Sequence, residues 1–175
     1  MGGNIITNDI ALGIQEYIGE CLENDELETL KHDYGSAKKE CIDENKEITL
    51  NIDGRKIVLR QYQLADIIQS RMTEIFKEIK KHINDTDISN RPYGIVITGG
   101  GSQLRNLPQL VSYITGREVR IGLPNEHLGS DSKSTIKSPI FSTGVGLVQK
   151  GFEEVDWNNI SENKHDTINT SSHDE

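Results

Sequence analysis

The stretch from Gly94 to Leu110 constrains the fold more than any other. A β-branched run, Ile95-Val96-Ile97-Thr98, stops at Gly99-Gly100-Gly101, and an apolar-periodic segment begins at once behind the glycines. β-Branched residues fit a pleated strand, and apolar residues recurring every three or four positions fit a helix. The spacing therefore predicts a strand over Tyr93–Thr98, a helix over Gln103–Thr115 with Leu104, Leu107, Leu110, Val111 and Ile114 inward, and a short strand at Val119-Arg120-Ile121. Consecutive glycines cost backbone entropy, but they allow positive φ and let the main chain approach another group with no Cβ in between. That group is either a phosphate or ribose of a bound nucleotide or a neighbouring backbone. The residues alone leave both open.

Ahead of this unit the pattern is helical, then extended, then helical again. Thr7, Asn8 and Asp9 supply N-cap chemistry for a helix running to about Leu22, with Ile10, Ile14, Tyr17, Ile18, Cys21 and Leu22 along one face. A shorter helical piece from Asp25 to about His32 ends near Gly35. Strands at Glu47–Ile52 and Lys56–Leu59 meet at Asp53-Gly54, a hairpin turn signal. The longest periodic segment, Gln63 to Ile83, aligns Leu64, Ile67, Ile68, Met72, Ile75, Ile79 and Ile83 in one stripe, with Lys77, Lys80 and Lys81 opposite. A polar linker over Asn84–Arg91 closes at Pro92. Behind the last strand, Gly122–Pro139 reads as a long loop, and Ile140 to about Lys150 as a final helix with Pro139 in its first turn and Ser138 as cap.

Hydrophobic residues make up 34% of the 175, and mean hydropathy is −0.55, low for a compact domain of this size. Part of the deficit is local. From Glu153 onward seven acidic residues face a single Lys164, so this tail carries −6 of the formal −9. Beyond Trp157 no periodicity remains, and the tail is read as disordered. The body is nearly balanced in charge, which leaves no nucleic-acid footprint. No signal peptide precedes the body and no apolar run reaches the roughly 18 residues of a membrane span. Cys21 and Cys41 form no CxxC pair and read as reduced thiols, so the chain is expected in the cytoplasm.

The familiar catalytic templates fail. A dinucleotide fingerprint or a nucleophile elbow needs glycine where Leu104 stands, and no Gly-Lys-Ser/Thr tripeptide completes a phosphate loop. His32, His82, His127, His165 and His173 are scattered without ligand spacing, so no metal site is expected. No catalytic residue is assigned. Arg71 and Glu74 stand out as a polar pair three apart amid apolar neighbours. They are either a plain i,i+3 ion pair, worth a few tenths of a kcal/mol, or a contact for a partner.

Five ordered blocks together resemble the cell-division protein family FtsA, an actin-like branch of the superfamily of chaperone ATPases and sugar kinases. Gly2-Gly3-Asn4-Ile5-Ile6-Thr7-Asn8-Asp9-Ile10-Ala11 resembles GG(D/N)xITNDIA, and Leu27 to Gly35 is similar to AExLKxxYG. Leu64 to Ile75 resembles LAxIIEPRxxEI, Gly94 to Leu110 the adenosine motif GVVLTGGGAxLxGL, and Pro139 to Leu147 the block PxYATAVGL. The blocks cover residues 2 to about 151.

The resemblance implies an α/β chain, the second lobe of an actin-like (ribonuclease H-like) ATPase fold. Residues 1–26 and 77–151 would form its nucleotide-facing lower subdomain, residues 27–76 a small inserted α+β upper subdomain, and residues 152–175 the disordered acidic tail. It implies ATP as cofactor, with magnesium in the intact protein. Gly99, Gly100 and Gly101 would line the adenosine with Gln103 close by, Glu28 and Lys31 would hold adenine and ribose, and Gly3 would approach the phosphates. Arg71 and Glu74 would contact the C-terminal tail of FtsZ, in a protein that self-associates into filaments, links the FtsZ ring to the membrane and recruits other division proteins at the inner face of the cell membrane. The family's first lobe would lie before Gly2, so Met1 reads as an internal start and the chain as a C-terminal fragment. ATP binding is then expected to be weak or absent in isolation, with no hydrolysis. Gln69-Ser70 replaces the family's Glu-Pro before Arg71. Val155, Trp157, Ile160 and Ile168 share no helical face amid acidic residues, so no membrane binding by this chain is expected. The alternatives are a lobe of a chaperone-like or sugar-kinase-like ATPase, or a structural α/β domain whose glycines only turn a corner.

Overall fold

α3 (Gln61–Asn84) is the spine on which the rest is assembled. The computed structural model describes residues 3–52, 54–86, 93–125, 128 and 133–155. Residues 1–122 and 123–175 form separate units.

In the first unit, α1 (Gly3–Ile18) lays Ile6, Ile10 and Ile14 against α3. It begins four residues before the predicted cap: Thr7 is not an N-cap but a buried second-turn residue. The helix stops at Gly19, whose φ of 72° places it in the left-handed region while its N–H closes on the Gln15 carbonyl at 2.9 Å. α2 (Asn24–Tyr34) opens on a reciprocal box in which the Glu23 N–H donates to Glu26 Oε2 at 3.1 Å, and it buries Leu27 and Leu30.

β1 (Glu47–Ile52) and β2 (Arg55–Arg60) pair antiparallel, with Ile48 opposite Leu59 and Leu50 opposite Ile57 on the inner face. Gly54, at φ 76°, supplies the positive dihedral that so short a turn needs. α3 follows with no linker. Its stripe divides: Leu64, Ala65, Ile68 and Met72 are buried, Ile75 and Phe76 only partly, and Ile79 is exposed. Gln61, at its start, donates from Nε2 to the Tyr34 carbonyl at 2.8 Å and joins the ends of α2 and the hairpin.

β3 (Ile95–Ile97) and β4 (Val119–Ile121) pair parallel, with α4 (Leu107–Thr115) between them in sequence. The helix closes at Gly116, φ 71°, and Lys80 Nζ donates to the Ile114 carbonyl of its last turn at 2.7 Å. α1, α2, α3, α4 and the hairpin feed one apolar cluster. The subdomain limits implied by the resemblance, 26/27 and 76/77, both fall inside helices.

In the second unit, 3₁₀ turns at Ser134–Lys137 and Pro139–Phe141 lead into a helix over 142–155. That helix runs past Lys150, helped by a Lys150–Glu153 pair at 3.3 Å, into the segment read as tail. Asp53, residues 87–92 of the linker, residues 126, 127 and 129–132 of the long loop and residues 156–175 of the acidic tail lie outside the described residues.

Candidate functional site

Gly3 on α1 is brought to Glu28 and Lys31, three apart on α2, where α1 begins beside α2. Lys31 Nζ donates to Glu28 Oε1 at 2.6 Å, to Thr7 Oγ1 at 2.8 Å and to the Gly3 carbonyl at 3.4 Å. Thr7 Oγ1 also contacts Glu28 Oε1 and lies 3.1 Å from the Gly3 carbonyl. Partial burial pushes the Glu28 carboxyl up, but hydrogen bonds from Lys31 and Thr7, with the Lys31 charge, outweigh it and hold it below the ordinary carboxylate value. A carboxyl depressed in this way stabilises the fold above its unfolded pKa, and that contribution is lost as pH falls through the folded one.

The glycine turn is built differently from the expected corner. Gly99 alone of the three glycines has positive φ, 85°. A 3₁₀ turn over Gly100–Gln103 follows, Leu104 is extended, and α4 starts only at Leu107 behind a left-handed Asn106 at φ 61°. The helix N-terminus expected at Gln103 is therefore displaced, because Ser102 is buried and folds the turn on itself, donating from Oγ to the Gly99 carbonyl at 2.7 Å. Among the described residues, a Cβ placed on Gly99 or Gly101 would meet nothing within 4 Å. The positive φ itself calls for glycine at Gly99, whereas at Gly101 neither φ nor a close described neighbour does.

The exit of this turn is fastened to the end of α2. Ser36 bridges Arg105 in parallel fashion, the Ala37 N–H donates to the Arg105 carbonyl at 2.8 Å, and Asn106 Nδ2 donates to Ser36 Oγ at 3.0 Å. Lys31 thus stands one helical turn before the segment that holds the glycine turn. An ammonium, a carboxylate and an uncovered glycine turn are the chemistry that a sugar hydroxyl and a heterocycle can use.

The second polar site lies on α1 and α3. Arg71 Nη1 donates to Glu74 Oε2 at 2.6 Å, the i,i+3 pair expected. Its other edge is taken by Asp9: Nη2 donates to Oδ1 at 2.8 Å and Nε to Oδ2. Asp9, then Glu74, hold the guanidinium charged. Asp9 is 18% exposed and Glu74 70%, so Glu74 is the more accessible of the two carboxylates. Sequence reasoning used Thr7 and Asp9 as cap chemistry and missed both roles. Their position between the buried Ile6 and Ile10 was the available signal. Gln69, which departs from the family's Glu, accepts from the Lys39 N–H at 2.6 Å and donates to Glu40 Oε1 at 3.1 Å, a pairing that a glutamate could not complete. Among the described residues no group of His, Cys, Asp and Glu is placed to hold a metal.

The family model described as "Cell division protein FtsA" matches residues 1–146. FtsA of Bacillus subtilis (strain 168) is 28% identical over 151 residues, 85% of this chain and 31% of that protein. FtsA of Rhizobium meliloti (strain 1021) is 33% identical over 157 residues, 85% of this chain and 33% of that protein. The chain thus spans about a third of the length of these curated relatives. Among solved structures, MreB 5 of Spiroplasma citri bound to AMPPNP superposes with a TM-score of 0.62 at 16% identity, over 90% of this chain and 46% of that one. The same protein bound to ADP gives 0.61 at 18% identity, over 91% and 46%. The fold is therefore that of part of an actin-like lobe.

Proposed function

The chain belongs to the FtsA family of cell division proteins, and on that premise we propose that it is the nucleotide-facing second lobe of an FtsA-like protein. The Glu28–Lys31 pair and the glycine turn take the adenosine half of ATP, Gly3 approaches the phosphates, and Arg71 with Glu74 takes the C-terminal tail of FtsZ. Linking the FtsZ ring to the membrane, recruiting division proteins and assembling into filaments are activities of the whole protein, and this chain contributes an interaction module to them. No hydrolysis is assigned to it, and magnesium belongs with groups outside it. No described helix is long and apolar enough to cross a membrane.

The convergence of Gly3, Glu28 and Lys31 in one hydrogen-bonded network, one helical turn before the segment that fastens an uncovered glycine turn, carries the nucleotide reading. The residues fit the adenosine end: Glu28 accepts, the Lys31 ammonium sets a positive charge beside it, and Gly99 and Gly101 leave room for close approach. The solved neighbours of this fold hold AMPPNP or ADP.

Gly101→Ala separates a ligand cradle from a mere corner. Its new methyl meets no described residue within 4 Å, so the unfolding free energy changes by less than about 0.5 kcal/mol. In a longer version carrying the other lobe, ATP affinity falls about tenfold as the methyl crowds the ligand, and ATP slows amide exchange over Gly99–Gln103. Undiminished ATP binding in Gly101→Ala would return the turn to a structural role. For the second site, Arg71→Ala and Glu74→Ala each weaken an FtsZ C-terminal peptide about tenfold, the scale of a charged hydrogen bond. Calorimetric titration showing wild-type affinity in both variants would remove the site.

A further inference from the structure

Two side chains are expected to meet the nucleotide on α2, yet the residue that fixes their geometry lies on α1. Thr7 is 4% exposed, and its hydroxyl stands between the Lys31 ammonium, the Glu28 carboxylate and the Gly3 carbonyl. A hydroxyl has one proton to give, so it cannot serve both nearby acceptors. Glu28 Oε1 is the charged acceptor and the nearer one, so the proton goes there. Lys31 has three protons to give, and Thr7, Glu28 and the Gly3 carbonyl receive them.

The consequence is a division of labour within one carboxylate. Oε1 is saturated from two sides, by Thr7 and Lys31, while Oε2 has no partner among the described residues, in a side chain 49% exposed. We propose that Thr7 is the positioning residue of the Glu28–Lys31 pair, pinning Oε1 so that Oε2 is the one acceptor offered to a hydroxyl of the ligand. The ligand half of this statement rests on the nucleotide reading above. The pinning half does not, because it is a property of the chain alone. Glu28 and Lys31, both on α2, are the charged groups of the network, and α1 contributes only the neutral Thr7 hydroxyl and Gly3 carbonyl.

Thr7→Val keeps the shape and removes the hydroxyl, whereas Thr7→Ser keeps the hydroxyl and gives up the methyl. The Glu28 carboxyl, followed by carbon NMR across the acid range in this 175-residue chain, titrates at higher pH in Thr7→Val than in wild type and returns toward wild type in Thr7→Ser. A merely packing role would predict the reverse ranking, since serine loses the methyl that valine retains. Equal titration in wild type and Thr7→Val overturns the proposal. ATP binding in the longer version falls about tenfold in Thr7→Val and recovers in Thr7→Ser. Should Glu28→Gln leave ATP affinity at the wild-type value, the nucleotide reading falls, while a shifted titration still upholds Thr7 as the residue that orders the pair.

Discussion

Gly35→Ala lowers the stability of the chain by about 3 kcal/mol, a fall in thermal midpoint of roughly 6–12 °C for a domain of this size. The cause is steric rather than conformational. Gly35 sits at φ −64° and ψ 139°, a region open to every residue. A Cβ there, however, would lie 2.2 Å from the Lys31 carbonyl oxygen and 3.2 Å from both Ile68 Cδ1 and Leu104 Cδ1. The carbonyl cannot yield cheaply, because it also accepts the Gly35 N–H at 2.9 Å and so closes α2. Displacing it would shift Lys31 and loosen the junction where Ser36 and Ala37 meet Arg105. Circular dichroism melts with a midpoint within a degree of wild type would show that this close approach is not needed. Gly101→Ala is the control, an added methyl with nothing to strike among the described residues.

That contrast marks what a sequence can and cannot disclose. Periodicity revealed α3 and its stripe because Leu64, Ile68 and Met72 repeat on one helical face, and the hairpin was legible because Gly54 punctuates two alternating runs. Both signals are local. Gly35 was legible as a helix end, but the reason for glycine there is a crowd assembled from α2, α3 and the segment before α4, which no spacing along the chain announces. The same limit hid Asp9 from Arg71, since their carboxylate–guanidinium fork closes across 62 residues. The start of α4 moved from Gln103 to Leu107 for a related reason. Leu104 keeps the helical spacing, yet it belongs to an extended link that reaches Gly35, and its periodic position was a coincidence of packing.

Ile68→Ala carries the largest expected loss, about 2–5 kcal/mol, the range for truncating a fully buried isoleucine. Ile68 is 0% exposed in the cluster that joins Ile10 and Ile14 of α1, Leu30 of α2 and Leu107 of α4. Truncation leaves a cavity where several elements meet, and helices tied to one another at Ser36 and Asp9 cannot all collapse into it. Urea unfolding with a loss under about 1 kcal/mol, the level of a surface change, would contradict a packed junction. Ile68→Val removes the Cδ1 that a Cβ introduced at position 35 would strike and by itself costs about 0.5–1.5 kcal/mol. Combined with Gly35→Ala, the two losses then fall short of additive by about 0.5–1 kcal/mol, as neighbours in contact do. Most of the Gly35→Ala cost persists in the double variant, because the Lys31 carbonyl is still in the way. Full rescue by Ile68→Val would mean that the side chain, not the helix carbonyl, demands glycine at 35, and the junction would then be a matter of packing rather than of closing α2.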